Sequence, residues 1–404
     1  MKDPSRVRVS GPLAPYAHGF AMELSRLGYT PVSASFQLQL LAHLSRWLSG
    51  EGLDPTGLEP AVMAAFVAAR RTEGYTNYLS IKALAPLLGY LRGLGVAPVP
   101  AEPPLTAVEE LLARYRVYLL RERGLAASTV RCYADLVRPF LAGRTRPDGG
   151  LELERLRPAD VTAFVLAQSR RRRPRSAKLV VTALRSLLGF LHVDGVLARP
   201  LAAAVPSVAG WRLSGLPRGL GPAQVRGLLA ACDRRTAVGR RDFAVLTLLV
   251  RLGLRAGELA ALALEDVDWR RGEITVRGKG DRRERLPLPV DVGEALTAYL
   301  RPGRPLPVDG CRQLFLRARA PHRGLTTAGV TQIVVGAARR AGLPAISAHR
   351  LRHTAATGLL RAGAPLSEVG QVLRHRHPLT TAIYAKVDRD ALRTIARPWI
   401  GGAA

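Results

Sequence analysis

At 404 residues the chain is too long for one ordinary domain, and its 48% hydrophobic and 23% charged residues suit several buried cores, which excludes a disordered chain. Sixty basic against 31 acidic residues give a formal net charge of +29, a field that favours a polyanion such as DNA, RNA or an anionic membrane. Only five of the basic residues are lysine (Lys2, Lys82, Lys178, Lys279 and Lys386), so part of the excess reflects an arginine-rich composition.

The charge is unevenly placed. Residues 1–105 hold 9 basic and 7 acidic side chains, residues 106–220 hold 20 and 9, and residues 221–404 hold 31 and 15. The first segment is nearly neutral. Cys132, Cys232 and Cys311 are isolated, so neither a disulfide framework nor a zinc knuckle is indicated. Met1 to Gly11 lacks an apolar leader core, and the apolar run Phe243 to Val250 is too short to cross a bilayer. A soluble, cytoplasmic protein without membrane contact is expected.

Two proline-rich stretches, Val96 to Thr106 and Pro200 to Leu220, resist helix because proline lacks an N–H and restricts its neighbours. They divide the chain into three expected units, 1–100, 105–205 and 215–404. The first two resemble each other. Ala65-Phe66-Val67 is matched by Ala163-Phe164-Val165, and the Leu-Leu-Gly-aromatic-Leu segments at 87–91 and 187–191 keep the offset near one hundred. A duplicated bundle of four or five helices is expected; two unrelated helical bundles of biased composition are the alternative.

In the second copy, Ser128 is a candidate cap for a helix ending at Leu141. Ser169 to Arg175 (SRRRRPR) is expected to join two helices and to touch phosphate, the alternative being a merely solvated loop.

Further on, Asp242 to Leu254 reads as a buried helix, with Arg255 at the junction to the next and Glu258 placed to orient it or cap that helix. A hairpin follows, with strands Glu273 to Arg277 and Glu284 to Leu288 and Lys279 at its glycine-flanked tip. With arginine outnumbering lysine eleven to one, a lysine here points to a group that can release its proton, which a guanidinium practically cannot. A flexible surface lysine is the bland alternative.

His349, Arg352 and His353 then fall at i, i+3 and i+4 behind Ser347, a candidate N-cap, with Gly363 as the stop. Such a basic face at a helix start suits an anion. His349 and His353 are also spaced like zinc ligands, but no HExxH glutamate accompanies them and the surrounding charge opposes a dication, so no metal is expected. Ser367 is expected to open a short helix that ends before His375, and Pro378 the helix carrying Tyr384. Two guanidiniums, an ammonium, two imidazoles and a phenol are what cutting a phosphodiester without a metal requires.

Arg255 in GLRAGEL, Lys279 in GKG, His349 and Arg352 in HRLRH, His375, and Tyr384 after Thr380-Thr381 together resemble the tyrosine recombinase (phage integrase) family over nearly all of 106–404. Arg374 departs from the glycine usual before the second histidine, and the N-terminal copy is extra. The resemblance implies a mainly α fold with a small β-sheet: helical SAM-like core-binding domains plus a mixed α+β catalytic domain, closing as a clamp on double-stranded DNA.

It further implies that Tyr384 attacks the scissile phosphate, giving a 3′-phosphotyrosine. Arg255, Arg352 and His375 would stabilise the charge, Lys279 would protonate the leaving oxygen and His349 would assist the phenol. No cofactor, metal or ATP is implied. Exchange would run through a Holliday junction in a homotetramer, with accessory DNA-bending proteins as possible partners. Candidate phosphate contacts are Arg131, Arg170, Arg171, Arg172, Arg173, Arg175, Lys178, Arg282 and Arg283. The tail with Trp399 can dock on a neighbouring subunit or pack at home. A type IB topoisomerase and a non-catalytic DNA-binding protein are the rival readings.

Overall fold

A computed structural model describes residues 7–100, 104–209, 219–278, 282–308, 310–375 and 377–387. The chain divides into two compact units, one of residues 101–214 and the other of 1–100 with 215–404. Within the larger unit, residues 13–97 and 220–351 bury separate hydrophobic clusters.

The N-terminal piece contains α1 (Ala17–Arg26), α2 (Pro31–Gly50), α3 (Pro60–Thr72) and α4 (Ile81–Gly93). Thr30 starts α2 by accepting the Ser33 N–H, and Pro31 fills the first helical position, where its missing donor costs nothing. Phe20, Leu41, Leu44, Phe66 and Leu84 interlock as the core. The second unit contains α5 (Ala107–Arg121), α6 (Ala127–Ala142), α7 (Pro158–Arg171) and α8 (Pro174–Val193). In both bundles the same helix pairs touch: first with second, first with fourth, second with fourth, and third with fourth.

Two local expectations are corrected here. Ser128 lies inside α6, because Ala126 takes the extended N-cap conformation and Ala127 is already helical. The arginine run is mostly helix rather than loop. Ser169–Arg171 finish α7 and Arg175 lies in the first turn of α8, because Pro174 suits a helix start and confines the break to Arg172 and Arg173. Among the described helices α8 is long and apolar enough to span a membrane, but half of that window is buried and it forms the bundle's core.

The C-terminal piece runs α9 (Pro222–Ala230), α10 (Ala237–Arg251), α11 (Ala256–Ala261), β1 (Val267–Asp268), β2 (Glu273–Arg277), β3 (Arg283–Pro287), α12 (Val290–Leu300), α13 (Thr327–Arg340), α14 (Ala348–Arg361), α15 (Leu366–Val372) and α16 (Pro378–Thr381). A 3₁₀ turn, Ala382–Val387, continues from α16, where a single helix was expected. The sheet is antiparallel in the order β1-β2-β3, with Val276 opposite Glu284.

The hairpin's second strand starts one residue early, since Arg283 still pairs with Arg277. Helix α10 starts five residues early because the Thr236 hydroxyl accepts the Gly239 N–H. Helix α15 starts at Leu366 with Pro365 as its N-cap, which puts Ser367 inside. Ser347 does hold the N-cap position of α14 in extended backbone, although its side chain makes no capping bond.

Candidate active site

Gly253 decides where Arg255 stands. It turns the chain at the end of α10 with a φ of 57°, and a Cβ there would lie 2.7 Å from Leu373 and 3.3 Å from the Ala355 methyl. Only glycine lets α10 end this close to α14 and to the end of α15. Two residues on, Arg255 is the N-cap of α11.

Glu258, expected either to orient Arg255 or to cap the helix, does both. Its Oε2 accepts the Arg255 N–H at 2.9 Å, and its Oε1 accepts from Arg255 Nη1. The Arg255 side chain stays 45% exposed and faces a cavity of about 1020 Å³ that Gly278, Arg282, Arg374 and His375 also line.

Arg352, on α14, is 2% exposed. Its Nη1 donates to the Gly253 carbonyl at 2.6 Å and its Nη2 to the Leu373 carbonyl. The guanidinium thus ties α14 to the turn before Arg255 and to the turn before His375. Burial, then the nearby Arg255 and Arg374, lowers its pKa to about 10.

Tyr384 is 2% exposed and packs with Ala356, Val369 and Leu373. Its hydroxyl lies 2.8 Å from His353 Nδ1. The His349 ring lies 4.5 Å from the His353 ring, edge-on, and the His375 ring lies parallel to Tyr384 at 6.3 Å. His375 Nδ1 meets the Thr381 hydroxyl at 2.8 Å.

Burial and the facing cations lower both His353 and His375 to about 4, so each imidazole is neutral at pH 7. Burial raises the Tyr384 phenol above its ordinary value, against a weaker pull from Arg352. The nucleophile candidate is therefore a neutral phenol beside a neutral imidazole.

Five of the six expected catalytic residues are described, and they gather in one region: Arg255, His349, Arg352, His375 and Tyr384. Lys279 lies outside the described residues, as does the tail with Trp399; Gly278 and Arg282, on either side of the tip, line the cavity.

Sequence reasoning understated three residues that the site contains. His353 was placed on the basic face and weighed only as a zinc-spaced partner of His349, not as a partner of the phenol. Arg374 was noted only as a departure, yet its side chain is buried and donates to Glu258 Oε2 at 2.8 Å. Glu258 emerges as the carboxylate that two guanidiniums share. The signals were present, a second histidine one turn after His349 and an arginine beside His375, but the partners lie 31 and 116 residues away in sequence.

Of the candidate DNA contacts, Arg131, Arg170, Arg171, Arg172, Arg173, Arg175, Arg282 and Arg283 are exposed and Lys178 is half-buried. Arg172 also bonds Gln168 at 2.8 Å. Among the described residues no group of three or more His, Cys, Asp or Glu side chains is placed to hold a metal.

Residues 218–390 match the phage integrase family, and residues 112–195 match the phage integrase N-terminal SAM-like domain. An integrase/recombinase of Sinorhizobium fredii is 42% identical over 97% of this chain and 96% of its own length. The chain belongs to the phage integrase family.

The tyrosine recombinase XerD of Listeria monocytogenes is 31% identical over 71% of this chain and 97% of its own. The fold is also that of a lambda integrase, solved as a tetramer bound to a Holliday junction. That structure matches with a TM-score of 0.53 at 18% identity, over 82% of this chain and 91% of that one. Phage integrases are site-specific DNA cleavage and religation enzymes, and this chain is one of them. The alignment with the S. fredii relative, 398 residues long, takes in the N-terminal bundle that neither family match reaches.

Proposed function

We propose that this integrase binds duplex DNA and exchanges strands through a 3′-phosphotyrosine at Tyr384, without metal or ATP. The observation that carries this is the convergence of Arg255, Arg352, His375 and Tyr384, from four separate segments, around the turns that follow α10 and α15.

In the tautomer with its proton on Nε2, His353 Nδ1 accepts from the phenol. The Tyr384 proton passes to that nitrogen as the phenolate oxygen bonds to phosphorus. The P–O5′ bond breaks, and the departing oxygen takes a proton from Lys279. Arg255 and Arg352 offset the charge that builds on the non-bridging oxygens, with His375 as a neutral donor through Nε2. Because Tyr384 is buried, this reading requires the segment that carries it to shift when DNA binds.

The phosphotyrosine keeps the energy of the broken bond, so religation to a second strand needs no external energy. We read the working assembly as a tetramer that passes through a Holliday junction, as the lambda integrase structure suggests by analogy.

The N-terminal bundle we read as a degenerate copy of the core-binding one. The shared helix pairings support this, together with the constant offset in sequence. Its near neutrality suits packing or partner contact rather than phosphate.

Trapping on a nicked suicide duplex tests the reading: wild type is expected to leave a protein–DNA adduct that survives denaturant. DNA binding without any adduct contradicts it, and plasmid relaxation without recombination between two sites would instead favour the topoisomerase chemistry.

Acid should act late. The folded protein holds His353 and His375 at about 4, below the ordinary 6.5. Their contribution to stability is complete above pH 6.5 and is lost as pH falls toward 4. Single-turnover cleavage is expected to hold between pH 7 and 6 and to fail only toward 4. An acid limb centred near 6.5 in the pH–rate profile contradicts the neutral-imidazole scheme.

Replacing Arg170 to Arg173 with glutamine is expected to weaken binding on every duplex alike. The slope of log K against log salt should fall by about one for each phosphate contact removed. A loss confined to one sequence means that these residues read bases.

A further inference from the structure

Arg374 stands in backbone that L side chains rarely adopt, at a φ of 55°. Its side chain is also 3% exposed. A buried guanidinium at a left-handed position combines two costs that glycine would avoid, so its contacts should explain it.

Nη2 donates to Glu258 Oε2 at 2.8 Å, and Nη1 to the Val372 carbonyl at 2.9 Å. The buried Nε has no partner. The other Glu258 oxygen belongs to Arg255. Arg352 is bonded to two carbonyls. Two guanidiniums thus share a single carboxylate with Arg352 nearby, and the four groups together carry a charge of +2. Were Arg374 neutral, Glu258 would belong to Arg255 alone and the group would fall to +1. Burial pushes the Glu258 carboxyl up, but Arg374 and then Arg255 more than offset it and hold it ionised.

We propose that Arg374 is a positioning residue that sets the charge of the phosphate pocket: by sharing Glu258, it leaves Arg255 with uncompensated positive charge for the scissile phosphate. This rests on the reading of the pocket as the cleavage site. In a site shielded from water, one unit of charge acts strongly on the pentacoordinate phosphorus. Arg374 needs no contact with DNA to do so.

The test compares Arg374→Gly, Glu258→Gln and the double variant Arg374→Gly/Glu258→Gln with wild type. The measurement is the single-turnover rate of covalent trapping on the nicked duplex, with DNA affinity and thermal melting followed alongside. Arg374→Gly is expected to trap about 10- to 100-fold more slowly, less than the about 10²- to 10³-fold lost with a donor that touches the reacting oxygens, because Arg374 acts through Arg255, at little cost in DNA affinity. The double variant restores the group to +2, keeps a side-chain amide oxygen at position 258 for the Arg255 N–H, and should recover most of the lost rate. A double variant as slow as Arg374→Gly, or an Arg374→Gly protein as fast as wild type, overturns the proposal.

Where Arg374→Gly melts too early, Arg374→Met serves in its place. The second readout is the NMR titration of His375, which Arg352, Arg255, Arg374 and His349 face and which the Tyr384 ring and the Thr381 hydroxyl flank. Loss of the Arg374 charge should move the His375 titration up, and the double variant should bring it back. An unmoved His375 contradicts the charge role. Failure of wild type to trap would instead sink the cleavage-site reading, and the titration would still judge the charge.

Discussion

A Tyr384→Phe protein is expected to bind duplex DNA as wild type does and to form no covalent adduct, a loss of at least about 10⁴-fold in cleavage, the scale seen when covalent enzymes lose their machinery. The fold should hardly notice. The phenyl ring keeps its packing against Ala356, Val369 and Leu373, and only the bond from the hydroxyl to His353 disappears. That bond contributes about 1 kcal/mol in typical cases, so a melting point close to wild type should accompany the dead chemistry. Denaturing gels on a suicide duplex read the adduct, and anisotropy reads the binding. An adduct formed by Tyr384→Phe at the wild-type rate assigns the nucleophile elsewhere.

The second large effect belongs to Arg352, and it separates structure from catalysis. Arg352→Ala is expected to destabilise the protein and to stop cleavage, because one guanidinium serves both ends. It is the donor for the Gly253 and Leu373 carbonyls, and a buried acceptor left without a donor costs about 1–3 kcal/mol. Loss of the same cation from the phosphate costs about 10²- to 10³-fold in rate. Arg352→Lys keeps the charge but cannot span two carbonyls with a rigid fork, so it should fall between wild type and Arg352→Ala in stability and remain slow.

Arg255→Ala gives the contrast. Its side chain is 45% exposed, so cleavage should drop by a similar factor while stability changes much less. Urea melts with trapping rates on all three proteins test this. An Arg352→Ala protein as stable as wild type would show that the two carbonyls find other donors.

What the sequence made legible follows from how locally each feature is determined. Arg255 could be placed at a helix junction because Gly253 and Glu258 lie within three residues of it. The hairpin followed from alternation and glycine, and the basic face of α14 from helical spacing. The start of α10 was missed because Thr236, seven residues before the apolar run, caps it. The two-residue strand β1 carries no alternation to read. The bond from His353 to Tyr384 and the sharing of Glu258 by two arginines were out of reach, since the first depends on packing of α14 against the 384 segment and the second on packing of α11 against the turn after α15. Spacing along a helix tells which side chains share a face; it does not tell what arrives opposite.

The most direct measurement is the mass of the nucleotide-bearing peptide from the wild-type adduct, after protease and nuclease digestion. The adduct is expected on Tyr384, joined through a 3′-phosphate, with a free 5′-hydroxyl on the released strand. A modified residue elsewhere, or a 5′-phosphate left on the protein, would contradict the arrangement of phenol, imidazoles and guanidiniums proposed for this site.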